Sequence, residues 1–279
     1  MNVRRTLAIA GMLGAVLAMP GAAGAAPAWA PAATATIHPG VETTSSSGSC
    51  TGNFIFFDAA GDVYLGVAAH CVDANGSTAQ GRCAKDGAQP LPLGSAVTIE
   101  GASKPGTLAY SSALVMQQLG VTDPSLCMFN DFALIQIDPV DVGKVNPSVP
   151  VWGGPVGVGP AAPGSQIYAY VNSSLRLGVS ALDPKKGAVD SVTNDGRGYG
   201  VHFTSGPAIS GDSGSGVMNA QGRAMADLQF LVFNGASTNL AGDLGLELGY
   251  LAAHTPIAGL QLADGTEPFN PNAVTVVPN

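Results

Sequence analysis

The sequence predicts an all-β protein: two antiparallel β units of roughly 100 residues each, followed by one terminal helical segment. Three observations carry this. Glycine (38) and proline (20) make up about a fifth of the 279 residues, with no G-X-Y period. Both residues break helix interiors, which excludes a helix-dominated fold, and the missing period excludes collagen. Short apolar segments recur between clusters of Gly, Asp, Asn and Pro, the punctuation of strands and turns. Charged residues are only 11%, too few for a charged coiled coil or a charge-rich disordered tail.

In chain order, residues 1–25 read as a secretory signal. Met1–Arg5 carries two arginines, Leu7–Met19 is small and apolar, and Ala23-Gly24-Ala25 fits a cleavage site. The apolar run is too short to span a bilayer, and no later one is long enough. Arg4-Arg5 also suits a twin-arginine route. Cleavage removes these arginines and no acidic residue, taking the formal charge from −8 to −10. An acidic, exported, extracellular protein is expected, with no basic surface for nucleic acid and no membrane association once the signal is gone. Residues 26–48, rich in Ala, Pro, Ser and Thr, read as an extended lead-in or propeptide.

The first β unit is expected over 49–138, with strands at Phe54–Phe57, Val63–Val67, Val97–Ile99, Leu108–Tyr110 and Phe132–Ile137. Six prolines and little periodicity mark 139–164 as a linker. The second unit, 165–279, is expected to form strands at Gln166–Val171, Leu175–Val179, Tyr199–Phe203, Gly216–Met218 and Leu228–Phe233. Leu244–His254 has the pattern of a helix, stopped by Pro256.

The four cysteines, Cys50, Cys71, Cys83 and Cys127, are an even number in an exported chain and predict two disulfides. Sequence alone leaves all three pairings open. No C-x-x-C pair is present and there are four histidines, so no structural zinc site, and no metal or other cofactor, is expected. The second unit has no cysteine and must fold on its apolar core.

Three segments carry chemistry. In Val67-Ala68-Ala69-His70-Cys71 a histidine ends an apolar strand, with small neighbours before it and an expected cross-link after it. A general base needs such fixing, because proton transfer demands alignment. In Asn130-Asp131-Phe132 an aspartate heads a strongly apolar strand, where a buried carboxylate requires donors. A histidine N–H is a suitable donor, and the carboxylate would then fix its tautomer. In Ser210-Gly211-Asp212-Ser213-Gly214-Ser215-Gly216 three glycines allow positive φ around a serine. Such a turn can aim the N–H groups of Gly211 and Ser213 at one point, an oxyanion hole. Each segment alone also has a structural reading: a packed histidine, a turn aspartate, a flexible Gly/Ser loop.

Taken together, in the order His70, Asp131, Ser213, with Ala-Ala-His-Cys at 68–71 and Gly-Asp-Ser-Gly at 211–214, the chain resembles the chymotrypsin-like (trypsin-fold) serine proteases, most of all the secreted bacterial type. The resemblance runs from Cys50 to near residue 260. It implies two six-stranded antiparallel β-barrels packed side by side with the active site between them. It also implies His70 as general base, Asp131 as its orienting carboxylate and Ser213 as nucleophile, with the Gly211 and Ser213 amides as oxyanion hole. It further implies Cys50–Cys71, and with it Cys83–Cys127. The expected activity is serine-type endopeptidase, acting on protein or peptide substrates as a monomer. The alternatives are a catalytically inactive homologue serving as an extracellular binding module, and an exported β-sandwich lectin whose Gly/Ser loops imitate the motif.

Some family features are missing. The serine motif continues Gly214-Ser215-Gly216 rather than Gly-Gly-Pro, and no cysteine follows Cys127 to brace the substrate pocket. By the resemblance Pro207 lies at the pocket floor, with Ala208 and Ser210 beside it, and Asp227 is the nearest acid other than Asp212. Pro207 and Ala208 carry no charge, so cleavage after small or medium uncharged residues is expected. Asp212 needs a cation if buried; Arg176, Arg197, Arg223 and a new terminus at Ile37 are candidates, with an internal arginine preferred. Asn75-Gly76-Ser77 and Asn172-Ser173-Ser174 match a glycosylation sequon.

Overall fold

The computed structural model describes residues 26–75, 82–232 and 238–273. The signal expected at 1–25, Gly76 and Ser77 of the first sequon, and Phe233 lie outside them. The described chain forms two antiparallel β units and a C-terminal helix, as the sequence predicts. No described helix is long and apolar enough to cross a membrane.

The first unit contains β1 (Glu42–Ser45), β2 (Gly48–Thr51), β3 (Ile55–Phe57), β4 (Val63–Ala68), β5 (Ala96–Ile99), β6 (Gly106–Ser111) and β7 (Phe132–Gln136). The second contains β8 (Gln166–Tyr170), β9 (Pro184–Thr193), β10 (Gly198–Phe203), β11 (Gly216–Asn219), β12 (Ala224–Val232) and β13 (Thr238–Asp243). These six close into a barrel in the order β10-β13-β12-β11-β8-β9. The first unit is instead an eight-stranded half-barrel, because β14 (Gln261–Leu262) returns from the C-terminal end to pair with β3. The segment expected as a lead-in is built into it. Its residues form β1, Ile37 is fully buried and Trp29 stacks edge-on against Phe57.

Strands β3, β4 and β7 read as continuous apolar runs because both faces are buried. Successive side chains alternate between faces. Ile55, Phe57, Val63, Leu65, Val67 and Ile135 fill the unit's own core. Their alternating neighbours Phe56, Tyr64, Phe132 and Leu134 join Trp152, Tyr168 and Met218 in a second core. Burying each large side chain contributes about 1.5–3 kcal/mol, so this shared layer fixes how the units sit. The linker takes part, with Trp152 Nε1 donating to Ala169 O at 2.8 Å.

Among the described residues three α-helices complete the fold: α1 (Ser112–Leu119), α2 (Pro124–Phe129) and α3 (Leu244–His254). Only α3 was expected. Asp243 caps it by accepting from the Leu246 amide at 2.9 Å, and Leu244, Glu247 and Leu251 share its buried face. The first two are short helices between β6 and β7, below the length at which periodicity is decisive. One expected strand is absent. Leu175–Val179 lies in a loop that opens with a 3-10 turn at Ser174–Arg176, and Leu177 is left-handed (φ 54°) and 88% exposed. Ser173 caps the turn by accepting from the Leu175 amide, and Arg176 is held by acids of its own unit, so these apolar residues have no partner strand.

Candidate active site

Register places the histidine and the aspartate together. Ala68 on β4 pairs with Phe132 on β7, so the residues just beyond are adjacent. The chain turns after Ala68 into a 3-10 turn, Ala69–Val72, whose first amide donates to Asp131 O at 2.8 Å. The His70 amide donates to Asp131 Oδ1 at 2.9 Å, and ring Nδ1 lies 2.7 Å from Oδ2. An ionised carboxylate only accepts, so Nδ1 carries the proton and Nε2 is left as an acceptor. Disulfide Cys50–Cys71 ties β2 to this turn, while Cys83–Cys127 joins the stretch after His70 to α2. The sulfurs of Cys50 and Cys71 lie within 4.8 Å of a His70 ring nitrogen, but oxidised sulfur is no metal ligand, so this cluster braces the ring.

Asp131 is completely buried, and its own amide donates to Glu247 Oε1 at 2.9 Å. Burial alone would raise its carboxyl, but Arg82 and His70 overcome that and hold it below the ordinary carboxylate range. Arg82 was not foreseen. It is fully buried, ion-paired to Asp131 Oδ2, and sits 5.0 Å from the Phe230 ring, which stacks on His70 at 6.0 Å. Nothing in the sequence around Arg82 marks it: it stands between Gly81 and Cys83 in a turn-like stretch that also carries Lys85 and Asp86.

The serine turn is held by both units. Gly211 and Gly214 take positive φ (93° and 87°). The Gly214 amide donates to Leu228 O, and the Ser215 amide to Asp212 O. From the first unit, the Thr51 amide donates to Ser213 O at 2.9 Å and its hydroxyl to Gly211 O at 2.8 Å. Among the described residues, the amides of Gly211 and Ser213 have no protein acceptor, the condition an oxyanion hole requires. Also among them, no hydrogen bond joins Ser213 Oγ to the His70 ring.

Asp212 is buried and its carboxyl is raised by burial, against the Ile209 amide and Arg176. Arg176 ion-pairs with it, as an internal arginine was expected to. The other candidates are engaged elsewhere: Arg197 near Asp123 at 3.9 Å, Arg223 on Val158 O, and Ile37 with its amide bonded to Lys144 O.

Of the pocket residues, Ala208 is clamped to Asn239 on β13 through its amide and carbonyl, at 2.9 and 3.1 Å. Pro207 is half-buried, and Ser210 is exposed with its carbonyl accepting from Ser173 Oγ. Asp227, considered as a pocket-wall acid, is instead fully buried. Gln229 Nε2 donates to it and to Glu247, both at 3.2 Å, which sets it beside the buried group that receives the Asp131 amide. Burial and then the neighbouring Asp131 raise the Asp227 carboxyl, so its hydrogen bonds are those of an interior group.

No protein-family model matches the chain, and no curated protein matches it in sequence. In architecture it is similar to Protease A of Thermobifida fusca, with TM-score 0.50 and 16% identity over 82% of this chain and 99% of that one. It is also similar to a glutamic acid specific serine protease that uses a histidine triad in substrate binding, with TM-score 0.51 and 16% identity over 81% of this chain and 100% of that one. The chain therefore has the two-unit chymotrypsin-like fold of these serine proteases.

Proposed function

We propose that this chain is a secreted serine endopeptidase that cuts peptide bonds through an acyl-enzyme. The observation that carries the reading is the double grip of Asp131 on His70, at 2.9 Å on the amide and 2.7 Å on the ring. That grip leaves Nε2 as a base held in one orientation. Substrate binding draws Ser213 Oγ to Nε2, a contact that commonly tightens only in the complex. Ser213 attacks the carbonyl carbon and His70 takes its proton. Asp131 stabilises the imidazolium, and the amides of Gly211 and Ser213 stabilise the tetrahedral oxyanion. His70 then gives the proton to the leaving amine, and water hydrolyses the acyl-enzyme by the same steps.

Pro207, Ala208 and Ser210 offer no charge to a substrate side chain, which supports cleavage after small or medium uncharged residues. The reading includes protein or peptide substrates, an extracellular location and a monomer. The test is a fluorophosphonate probe on the processed, folded protein. Stoichiometric labelling of wild type but not of Ser213→Ala is expected. No labelling of either would favour the inactive binding module, a reading that the missing Ser213–His70 hydrogen bond supports. A peptide-library profile dominated by cutting after Lys or Arg would overturn the specificity.

A further inference from the structure

Behind the candidate triad lies a charged group that peptide hydrolysis does not itself require. Arg82, Asp131, Asp227 and Glu247 are all buried, and an isolated Arg82–Asp131 pair would largely cancel the negative charge facing His70. Asp227 approaches from β12 and Glu247 from α3. Their inner oxygens share the Gln229 amide, and Glu247 also receives the Asp131 N–H. Their outer oxygens, Asp227 Oδ2 and Glu247 Oε2, have no donor from any described group. Two buried carboxyls this close cannot both ionise, and one proton between them satisfies both outer oxygens. Burial raises both groups in keeping with this. The pair then carries one negative charge and Arg82–Asp131 none. The other groups around Glu247 are the phenols of Tyr110 on β6 and Tyr250 on α3, which are neutral.

We infer that Asp227 and Glu247 are positioning residues that share one proton and return to His70 the single negative charge that Arg82 takes from Asp131. The inference rests on His70 acting as the base in the function proposed above. It makes an unusual demand. Either carboxyl alone can hold the charge, so only loss of both should be felt at His70.

The experiment follows the ring titration of His70 by NMR in the full chain, the resonance being assigned with His70→Gln. In Asp227→Asn and in Glu247→Gln the midpoint should stay where wild type has it. In the double variant it should fall by about one pH unit, the effect expected of one buried charge at short range. Arg82→Met should raise it, and Arg82→Lys should bring it back. A double variant titrating like wild type, or a single variant falling as far as the double, overturns the inference. Should the double variant not fold, the Arg82 variants decide, and no rise in Arg82→Met overturns it. Fluorophosphonate labelling of Ser213 is scored separately. Failure to label with the His70 pattern intact sinks the peptidase and spares the charge arrangement; labelling without the pattern does the reverse.

Discussion

Gly211 shows how much of the site depends on single backbone positions. Its φ is 93°, and a Cβ there would lie 2.8 Å from Ser173 Oγ and 3.2 Å from Ser173 Cβ. Gly211→Ala should tilt the amide proposed for the oxyanion hole and slow Ser213 labelling about 10²-fold, the usual cost of one oxyanion donor. At Gly214 a Cβ would meet Thr51 O at 2.6 Å, backbone that cannot rotate away. Asp183 gives a pH signature at the same scale. Burial, opposed by Arg176 and helped by Asp212, pushes its carboxyl from 3.8 up to about 6. A raised carboxyl means the folded chain binds the proton more tightly than the unfolded one. Its stabilising contribution is therefore full below about pH 4 and lost as pH rises through about 6. Asp183→Asn should raise the thermal midpoint at pH 7 and flatten its pH dependence between about 4 and 6. Calorimetry across that range is the check, and an unchanged slope would refute the assignment.

At the scale of elements, the disulfides and α3 do different work. Cys83–Cys127 closes a 44-residue separation and holds Arg82 next to its base. Loop entropy assigns such a bridge about 4 kcal/mol, so Cys83→Ala/Cys127→Ala should lose roughly that in denaturant unfolding. The helix is amphipathic in a way its neighbours test. Leu251 is buried and Leu246 exposed. Leu251→Ala should cost about 2–5 kcal/mol, and Leu246→Ala should stay within about 0.5. Equal losses would mean that α3 does not dock by this face.

At the scale of the molecule, the candidate site exists only where the units meet. His70 and Asp131 come from the first and Ser213 from the second, with Thr51 stitching across. Thr51→Val keeps the shape and removes the hydroxyl bonds to Gly211 O and Asn172 N. It should cost about 1 kcal/mol of stability and slow fluorophosphonate labelling of Ser213, although Thr51 touches no reacting atom. Unchanged labelling would mean the serine turn is held by its own unit alone.

The β class, most strands and the C-terminal helix were legible in the sequence, because they rest on local signals. Apolar runs bounded by turn residues and a capped periodic helix need no distant partner to be read. The three candidate catalytic residues were legible only from their three motifs taken together and the resemblance these carry. The pairing Cys50–Cys71 came from the resemblance, since spacing left three choices. What lay hidden depends on distant residues. β1, β9 and β13 are polar or mixed strands whose identity is conferred by the neighbours they pair with. The stretch Leu175–Val179 looked like a strand because its leucines and valine mimic one, and only the absence of a pairing edge decides otherwise. Arg82, Asp227 and Glu247 lie far apart in the chain and carry no local mark. A buried charge is stable only when partners from other elements surround it, so its role was decided by the tertiary structure.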